Sequence, residues 1–472
     1  MPMQQNAAVV PQYKDRYAIL IVVLFGVFMS VLDTNVVNVA LPTITADFGV
    51  DVSRSQWVVS SYLIVLTSFI LLFGRISSYT GRKRLFIAGF AVFTLASLAC
   101  GLSNNIYELI FFRIVQGFGA AVALSIDMAI LVHAFLPWER GRALGFLGTT
   151  IAIGSIAGPI LGGYVVEALG WPYVFLLNVP VGIALILGGI RFLPAGERID
   201  GRLDMDWAGA VLLVPAIVLL MLALGEVSAS GSLSMTAMAL AVLSVTAFVG
   251  LLYVESRRRS PLLDLSAFRV GKFAWSNMST LINYAAFAGF NLIVPFYLQV
   301  VVGYTPSQVG QTLLIIPVAM ALMAPVSGYL YDRFQTNLHS SLGILLMAVA
   351  LIVLGMCAGT ANLAIMLACF ALFGLGNGLF VSANNSVVMG SLPPGKSSTA
   401  SSITATLRNL GNTVGVSFAG ALLYLELRSM GFEGTAMSAG HALLSQAIGV
   451  VFVAAGILCV AGIITSSLVR RS

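Results

Sequence analysis

Apolar residues run along this chain in long blocks, and polar ones gather in short breaks between them. Apolar segments fall at about 17–41, 55–74, 85–102, 106–133, 141–166, 171–193, 207–226, 233–254, 273–301, 308–330, 340–358, 362–390, 399–427 and 441–468. A helix rises 1.5 Å per residue, so about 20 apolar residues match a hydrocarbon core of about 30 Å. The pattern predicts an all-α polytopic membrane protein with fourteen transmembrane helices.

One block carries unusual punctuation. No charge occurs between Ala143 and Val166, yet Gly154, Gly158, Pro159, Gly162 and Gly163 sit inside that stretch. In a soluble helix each Gly costs about 1 kcal/mol and Pro about 3. In a membrane helix small residues let a neighbouring backbone approach, and a proline bend is tolerated. The run predicts a close-packed, bent span that serves as a packing and hinge element.

Composition agrees: 59% of the 472 residues are hydrophobic and 9% charged, against about 25% charged in soluble domains. The net charge of +6 does not form a nucleic-acid patch, because the basic residues are distributed among short loops. Cys100, Cys357, Cys369 and Cys459 all lie in apolar segments and read as packing residues. With the N-terminus placed in the cytoplasm, 20 of the 24 Lys and Arg residues fall on the cytoplasmic side. Arg54 and Arg428 fall outside, while Arg113 and Arg408 lie within spans. That asymmetry orients the chain in the cell (inner) membrane with both termini cytoplasmic.

The chain also repeats itself. Gly117-Phe-Gly119 precedes Leu136-Pro137 and a Gly-rich span, and Gly374-Leu-Gly376 precedes Leu392-Pro393 and a span with Gly411 and Gly415. The loop from Gly74 to Gly81, Arg82, Lys83 and Arg84 matches the position of Gly328 to Asp332 and Arg333. The expected organisation is a cytoplasmic N-terminus (1–16), a six-helix bundle (17–193) and a linker (194–206). Two inserted helices (207–254), a second linker (255–272) and a second six-helix bundle (273–468) follow. Repeated halves with binding at their interface are a plan of secondary transporters.

Ionisable groups inside spans are costly and point to function. Asp33 lies about 24 Å from the cytoplasmic end of its helix, and Arg113 about 10 Å from the outer end of its own. In a core of about 30 Å these depths nearly coincide, so the two pair if their helices are neighbours. A carboxyl whose protonation depends on its partner's distance is what proton coupling needs. Asp127 lies about 21 Å deeper than Arg113 on the same span; it reads as a second protonation site, a cationic-substrate contact or an interfacial hydrogen bonder. Arg408 reads as buried, in either function or packing. Asn283, Tyr284, Asn291, Tyr297 and Gln299, with Pro295, read as a kinked, cavity-lining span or as ordinary inter-helix hydrogen bonding.

Leu32-Asp33-Thr34-Asn35-Val36-Val37-Asn38-Val39-Ala40-Leu41-Pro42 resembles the first-span motif of the major facilitator superfamily, and more narrowly of its fourteen-span drug:proton antiporter branch. Arg113-Ile-Val-Gln116-Gly117-Phe-Gly119 is similar to the fourth-span motif, and the Gly154–Gly163 run to the fifth-span antiporter motif. Arg408-Asn-Leu-Gly411-Asn-Thr-Val-Gly415 is similar to a late motif of the same branch. The family's loop pattern keeps Gly74, Gly81 and Arg82 but has Ser78 and Tyr79 where an acidic and a basic residue are usual. A fourth-span acid is also missing near His133. Asp332-Arg333 retains the acidic–basic pair in the second half, so the resemblance implies a cytoplasmic gate altered in the first half.

No metal cluster, nucleophile constellation or phosphate loop appears in the sequence, so neither an enzyme nor a cofactor is expected and energy must come from an ion gradient. The resemblance implies a proton-coupled exporter of hydrophobic, cationic small molecules, working as a monomer among membrane lipids with no nucleic-acid partner. Asp33 and Arg113 are its expected coupling residues, with Asp127, which lies outside the family motif, as a further candidate. Asn35, Asn38, Asn283, Tyr284, Asn291 and Arg408 are its cavity candidates. Export of an endogenous lipid, metabolite or siderophore, including an anion, is the alternative, and a non-transporting membrane sensor a third reading.

Overall fold

The computed structural model describes residues 15–135, 139–194, 207–230, 234–257, 265–334, 336, 338–360, 362–392, 397–432 and 439–469, and among these all regular structure is helical. The first half comprises α1 (Arg16–Asp47), α2 (Val52–Thr80), α3 (Arg82–Gly101), α4 (Ile106–Ala134), α5 (Arg140–Leu169) and a sixth unit made of α6 (Pro172–Leu176) and α7 (Asn178–Phe192). Next come α8 (Trp207–Ser230) and α9 (Met235–Arg257). The second half comprises α10 (Gly271–Phe296), α11 (Pro306–Leu313) with α12 (Ile315–Phe334), α13 (Leu338–Met356), α14 (Leu363–Ser391), α15 (Ser397–Ser429) and α16 (His441–Leu468). Beyond Pro295, α10 closes in a π-helical turn, Tyr297–Val301. Such a turn is a usual relief where proline has removed a backbone donor.

Twelve helical units among the described residues are long and apolar enough to cross a membrane. The other two expected spans, the fifth and the seventh, are present as helices α5 and α8. Their continuous apolar stretches are shorter, Ile153–Leu169 and Val211–Val227.

The internal repeat becomes a repeat of packing. Helices α4 and α14 both have 29 residues, and their glycines meet the same neighbours. A Cβ on Gly119 would sit 2.5 Å from the Phe93 amide of α3, and one on Gly376 would sit 2.6 Å from the Gly343 carbonyl of α13. On the adjacent face, Gly117 rests on the Tyr62 carbonyl of α2 and Gly374 on the Ile316 carbonyl of α12. With lipid around the bundle, no hydrophobic force gathers the helices, and close backbone contact takes its place.

The two halves touch from the end of the bundle that carries the α1–α2 turn, called the outer end from the charge assignment, to the middle of α2. At the outer end Trp171 Nε1 donates to Asp47 at 2.8 Å, bringing the close of α1 to the start of α6. On one side α5 meets α11: Gly163 lies on the Pro306 carbonyl and Gly310 on the Pro159 carbonyl. Ser307 N donates to Glu167 at 3.0 Å and Gln311 Nε2 to the Tyr164 hydroxyl at 2.7 Å. On the other side α2 meets α15, with Gln56 against Gly420 and the Thr67 and Thr413 hydroxyls 3.5 Å apart. Between them Gln299 Nε2 donates to the Val39 carbonyl at 3.0 Å.

Helix α8 lies along the α2–α15 seam. Its Leu213 and Ile217 join Ile64 of α2 and Leu251 of α9, with Leu410 and Val414 of α15 packed against them. Outside it α9 presents Val242, Val245 and Val249, all more than half exposed, as a lipid-facing helix does.

If backbone contact holds α3 to α4, Gly119→Leu should destabilise the protein by about 3 kcal/mol through overpacking. Gly390→Leu should be nearly neutral, since a Cβ there meets nothing within 4 Å. Thermal unfolding in the same detergent checks both; equal losses would refute the packing account.

Candidate functional site

Five helices of the first half deliver polar groups to one point. Asp33, in the middle of α1, is buried, and its Oδ2 accepts from Arg113 NH1 of α4 at 2.7 Å. Both side chains are at most 1% exposed. The two residues that the depth arithmetic brought level are therefore an ion pair.

The rest of the guanidinium is also engaged. Arg113 Nε donates to the Val58 carbonyl of α2 at 2.8 Å, NH1 also donates to Gln116 Oε1 at 2.6 Å, and the guanidinium lies 4.2 Å from the Tyr62 ring centroid. The second carboxylate oxygen, Oδ1, accepts from Asn178 Nδ2 at the start of α7 (2.7 Å) and from Gln116 Nε2 (3.1 Å). Gln116 Nε2 is tied in turn to Ser97 Oγ of α3 at 2.8 Å. Each charge thus has a charged partner and further neutral ones, which is what makes a buried pair tolerable.

Gln116 stood in the fourth-span motif without an assigned role, and Asn178, Ser97 and Tyr62 were not singled out. Asn178 had a readable signal, as the one amide side chain in the apolar stretch 171–193. Ser97 and Tyr62 had none, since serine and tyrosine are common in membrane helices.

The second half builds a different object at the matching place. On α14 the positions equivalent to Arg113 and Gln116 are Phe370 and Phe373, and the packing equivalent of Asn178 is Phe452 of α16. All three surround Phe290 of α10, with ring centroids 5.6, 4.4 and 5.7 Å away. One half holds a charged knot and the other an aromatic one.

The remaining expected residues scatter. Asp127, on the face of α4 that carries Arg113, is 3% exposed, and neither carboxyl oxygen has a partner among the described residues. It does not join the ion pair, and its equivalent on α14 is Asn384. Asn35 bonds its own helix through Val31 O (2.8 Å) and packs on Gly158; Asn38 Oδ1 is buried without a described partner. Gly154 meets Val31 and Gly162 meets Val36, so the glycine run seats α5 on α1 before gripping α11. Asn291 Nδ2 bonds Phe287 O at 2.9 Å, and Asn283 is wholly buried.

Arg408 is a correction: it is exposed, with its guanidinium 6.0 Å from the Tyr284 ring centroid. The apolar sequence around it suggested burial, but the side chain projects from α15 across the ring. In the loop motifs, Gly81 has φ +92°, a conformation that favours glycine and lets α3 begin one residue after α2 ends. A Cβ on Gly74 would meet only Ser125 O, at 3.9 Å, and Arg82 is half-buried. Arg333 is exposed and donates to the Tyr329 hydroxyl at 3.3 Å. The side chains of Asp332, Ser78, Tyr79 and His133 lie outside the described residues.

Comparison with known proteins bears on the family and the fold. Residues 23–416 match the family model described as Major Facilitator Superfamily. The riboflavin transporter RibZ of Clostridioides difficile is 33% identical over 405 residues, covering 86% of this chain and 88% of that one. The multidrug resistance protein Stp of Mycobacterium tuberculosis is 32% identical, covering 84% and 74%. Among solved structures, a bacterial homolog of the human lysosomal transporter Spinster, inward-facing and unoccupied, superposes with a TM-score of 0.71 at 15% identity over 98% of both chains.

Removing one partner of the buried pair leaves the other charge stranded, so Arg113→Met alone should cost about 3–5 kcal/mol. The double replacement with Asp33→Asn should cost clearly less than the sum of the single ones. A double-mutant cycle by thermal unfolding measures this; additive losses would mean that the pair is not coupled.

Proposed function

The chain belongs to the Major Facilitator Superfamily, a family of membrane transporters, and from that premise we propose that it is a proton-coupled exporter of hydrophobic cationic compounds. The observation that carries the reading is the Asp33–Arg113 pair, buried between α1 and α4, where the second-half positions matching Arg113 and Gln116 hold phenylalanines. Transport needs one group whose charge decides between two arrangements. Protonation of Asp33 would cancel the attraction to Arg113, while Gln116 O, the Val58 carbonyl and the Tyr62 ring would still hold the guanidinium. The freed carboxyl of α1 is then able to part from α4. Return of the proton restores the pair, and a cationic cargo competes with Arg113 for the same carboxylate.

Contacts between the halves at the outer end support a state closed outward and open to the cytoplasm, from which rocking about the α5–α11 and α2–α15 seams exchanges access. On this reading all fourteen helical units span the membrane. At 30 and 24 residues, α5 and α8 reach about 45 and 36 Å. Both termini are cytoplasmic and the protein works as a monomer in the cell membrane. Asp127 serves as a second acidic site of the path on the same helix as Arg113.

The multidrug relative favours drug export, and the riboflavin transporter favours a second reading, movement of an endogenous metabolite by the same cycle. Reconstituted with a pH-sensitive dye inside the vesicles, the wild type should couple ethidium movement to proton movement, and Asp33→Asn should lose it by at least about a hundredfold. Gradient-driven export by Asp33→Asn at the wild-type rate would end the proton-coupling reading. Movement of riboflavin but not ethidium would select the second.

A further inference from the structure

The seam between α10 and α14 contains a second polar cluster, and among the described residues no charge belongs to it. At its cytoplasmic end Asn384 Nδ2 donates to Ser276 O at 3.2 Å and to Thr280 Oγ1 at 2.8 Å. At its outer end Phe373 meets Phe287 and Phe290, with centroids 5.8 and 4.4 Å apart. Asn283 lies between Thr280 and Phe287 on α10, and Asn377 lies between Phe373 and Asn384 on α14. Positions seven residues apart share a face of a helix. Asn283 follows Ser276 by seven on α10, and Asn384 follows Asn377 by seven on α14, so both amides are directed into this seam.

Asn283 and Asn377 are 0% and 1% exposed, and neither the oxygen nor the nitrogen of either amide has a partner among the described residues. Ser276 Oγ and Asn384 Oδ1 are buried in the same seam and equally unpartnered. Buried polar groups are normally satisfied, and each exception is costly. Packing does not require them, because the first-half position equivalent to Asn377 is Ala120, fully buried in the same helix arrangement. What distinguishes the pair is its chemistry: each primary amide offers a donor and an acceptor side by side.

We propose that Asn283 and Asn377, with Ser276 Oγ and Asn384 Oδ1, form an uncharged recognition subsite for a cargo group presenting an N–H beside a C=O, such as a ring imide or a secondary amide. This rests on the transport reading above and deepens it: the first half answers to charge, and the second half reads a neutral hydrogen-bonding edge. The phenylalanine cluster that begins one turn outward, at Phe287, receives the flat apolar part of such a molecule. The seam is shut in the present arrangement, and cargo reaches it when α10 and α14 part. The π-turn and Pro295 place a pliable segment of α10 above the site for that movement.

The test uses the full-length protein in nanodiscs and riboflavin, a fluorescent flavin that carries a ring imide, against its N3-methyl analogue, which lacks the imide donor. Quenching titrations should show the wild type binding riboflavin at least about tenfold more tightly than the methylated form, the value of one neutral hydrogen bond. Asn377→Ala, which copies the first-half residue, and Asn283→Ala should each weaken riboflavin by about tenfold and erase the preference. Equal binding of the two flavins by the wild type, no riboflavin binding, or an unchanged preference in both variants would each overturn the subsite. Ethidium export in proteoliposomes reports separately. Discrimination without any gradient-driven export leaves the subsite standing and removes the proton-coupling reading.

Discussion

A carboxylate and a guanidinium held 2.7 Å apart inside a bilayer protein set the terms for the rest of the first half. Either charge alone would cost several kcal/mol at that depth, so neither helix α1 nor α4 folds into place independently of the other. The pair also needs neutral partners, and α2, α3 and α7 supply them through Val58 O, Ser97 (by way of Gln116) and Asn178. Five helical units are thereby registered against one another at a single level. The glycines at 117 and 119 let α4 approach close enough for a side chain as long as arginine to be wrapped completely.

Much of this was legible in the sequence, and for identifiable reasons. Apolar blocks of membrane length revealed the helices, because the bilayer imposes that length. Equal depth from opposite ends brought Asp33 and Arg113 together, because helices in a membrane share a fixed frame. Arg408 was misplaced because apolar neighbours in sequence do not decide which way a long side chain leaves its helix. Asn178 was readable as a lone amide in an apolar span but was passed over, and Ser97 went unnoticed because a hydrogen-bond partner is defined by helix contacts that no spacing encodes. Fourteen apolar segments were read where twelve units meet the length and composition of a span, since the glycine-rich α5 and the short apolar core of α8 weaken the signal.

The two halves share a packing scheme and differ in chemistry. Glycine contacts between α3 and α4 recur between α13 and α14, yet Arg113, Gln116 and Asn178 are answered by Phe370, Phe373 and Phe452. Backbone-to-backbone packing tolerates that divergence, because the glycine seams fix the helix positions while the facing side chains are free to change. A duplicated scaffold is thus able to give one copy an electrostatic role and leave the other apolar.

Helix α8 leans on α2 and α15 together, and α9 shields it from the lipid. Its presence makes the flanks of the molecule unequal. On the α5–α11 flank a parting of the halves would open a sideways slot to the acyl chains; on the α2–α15 flank the same parting is curtained by two extra helices. Were the halves to part, a solute dissolved in the leaflet would meet an opening on one flank of this protein and a covered seam on the other.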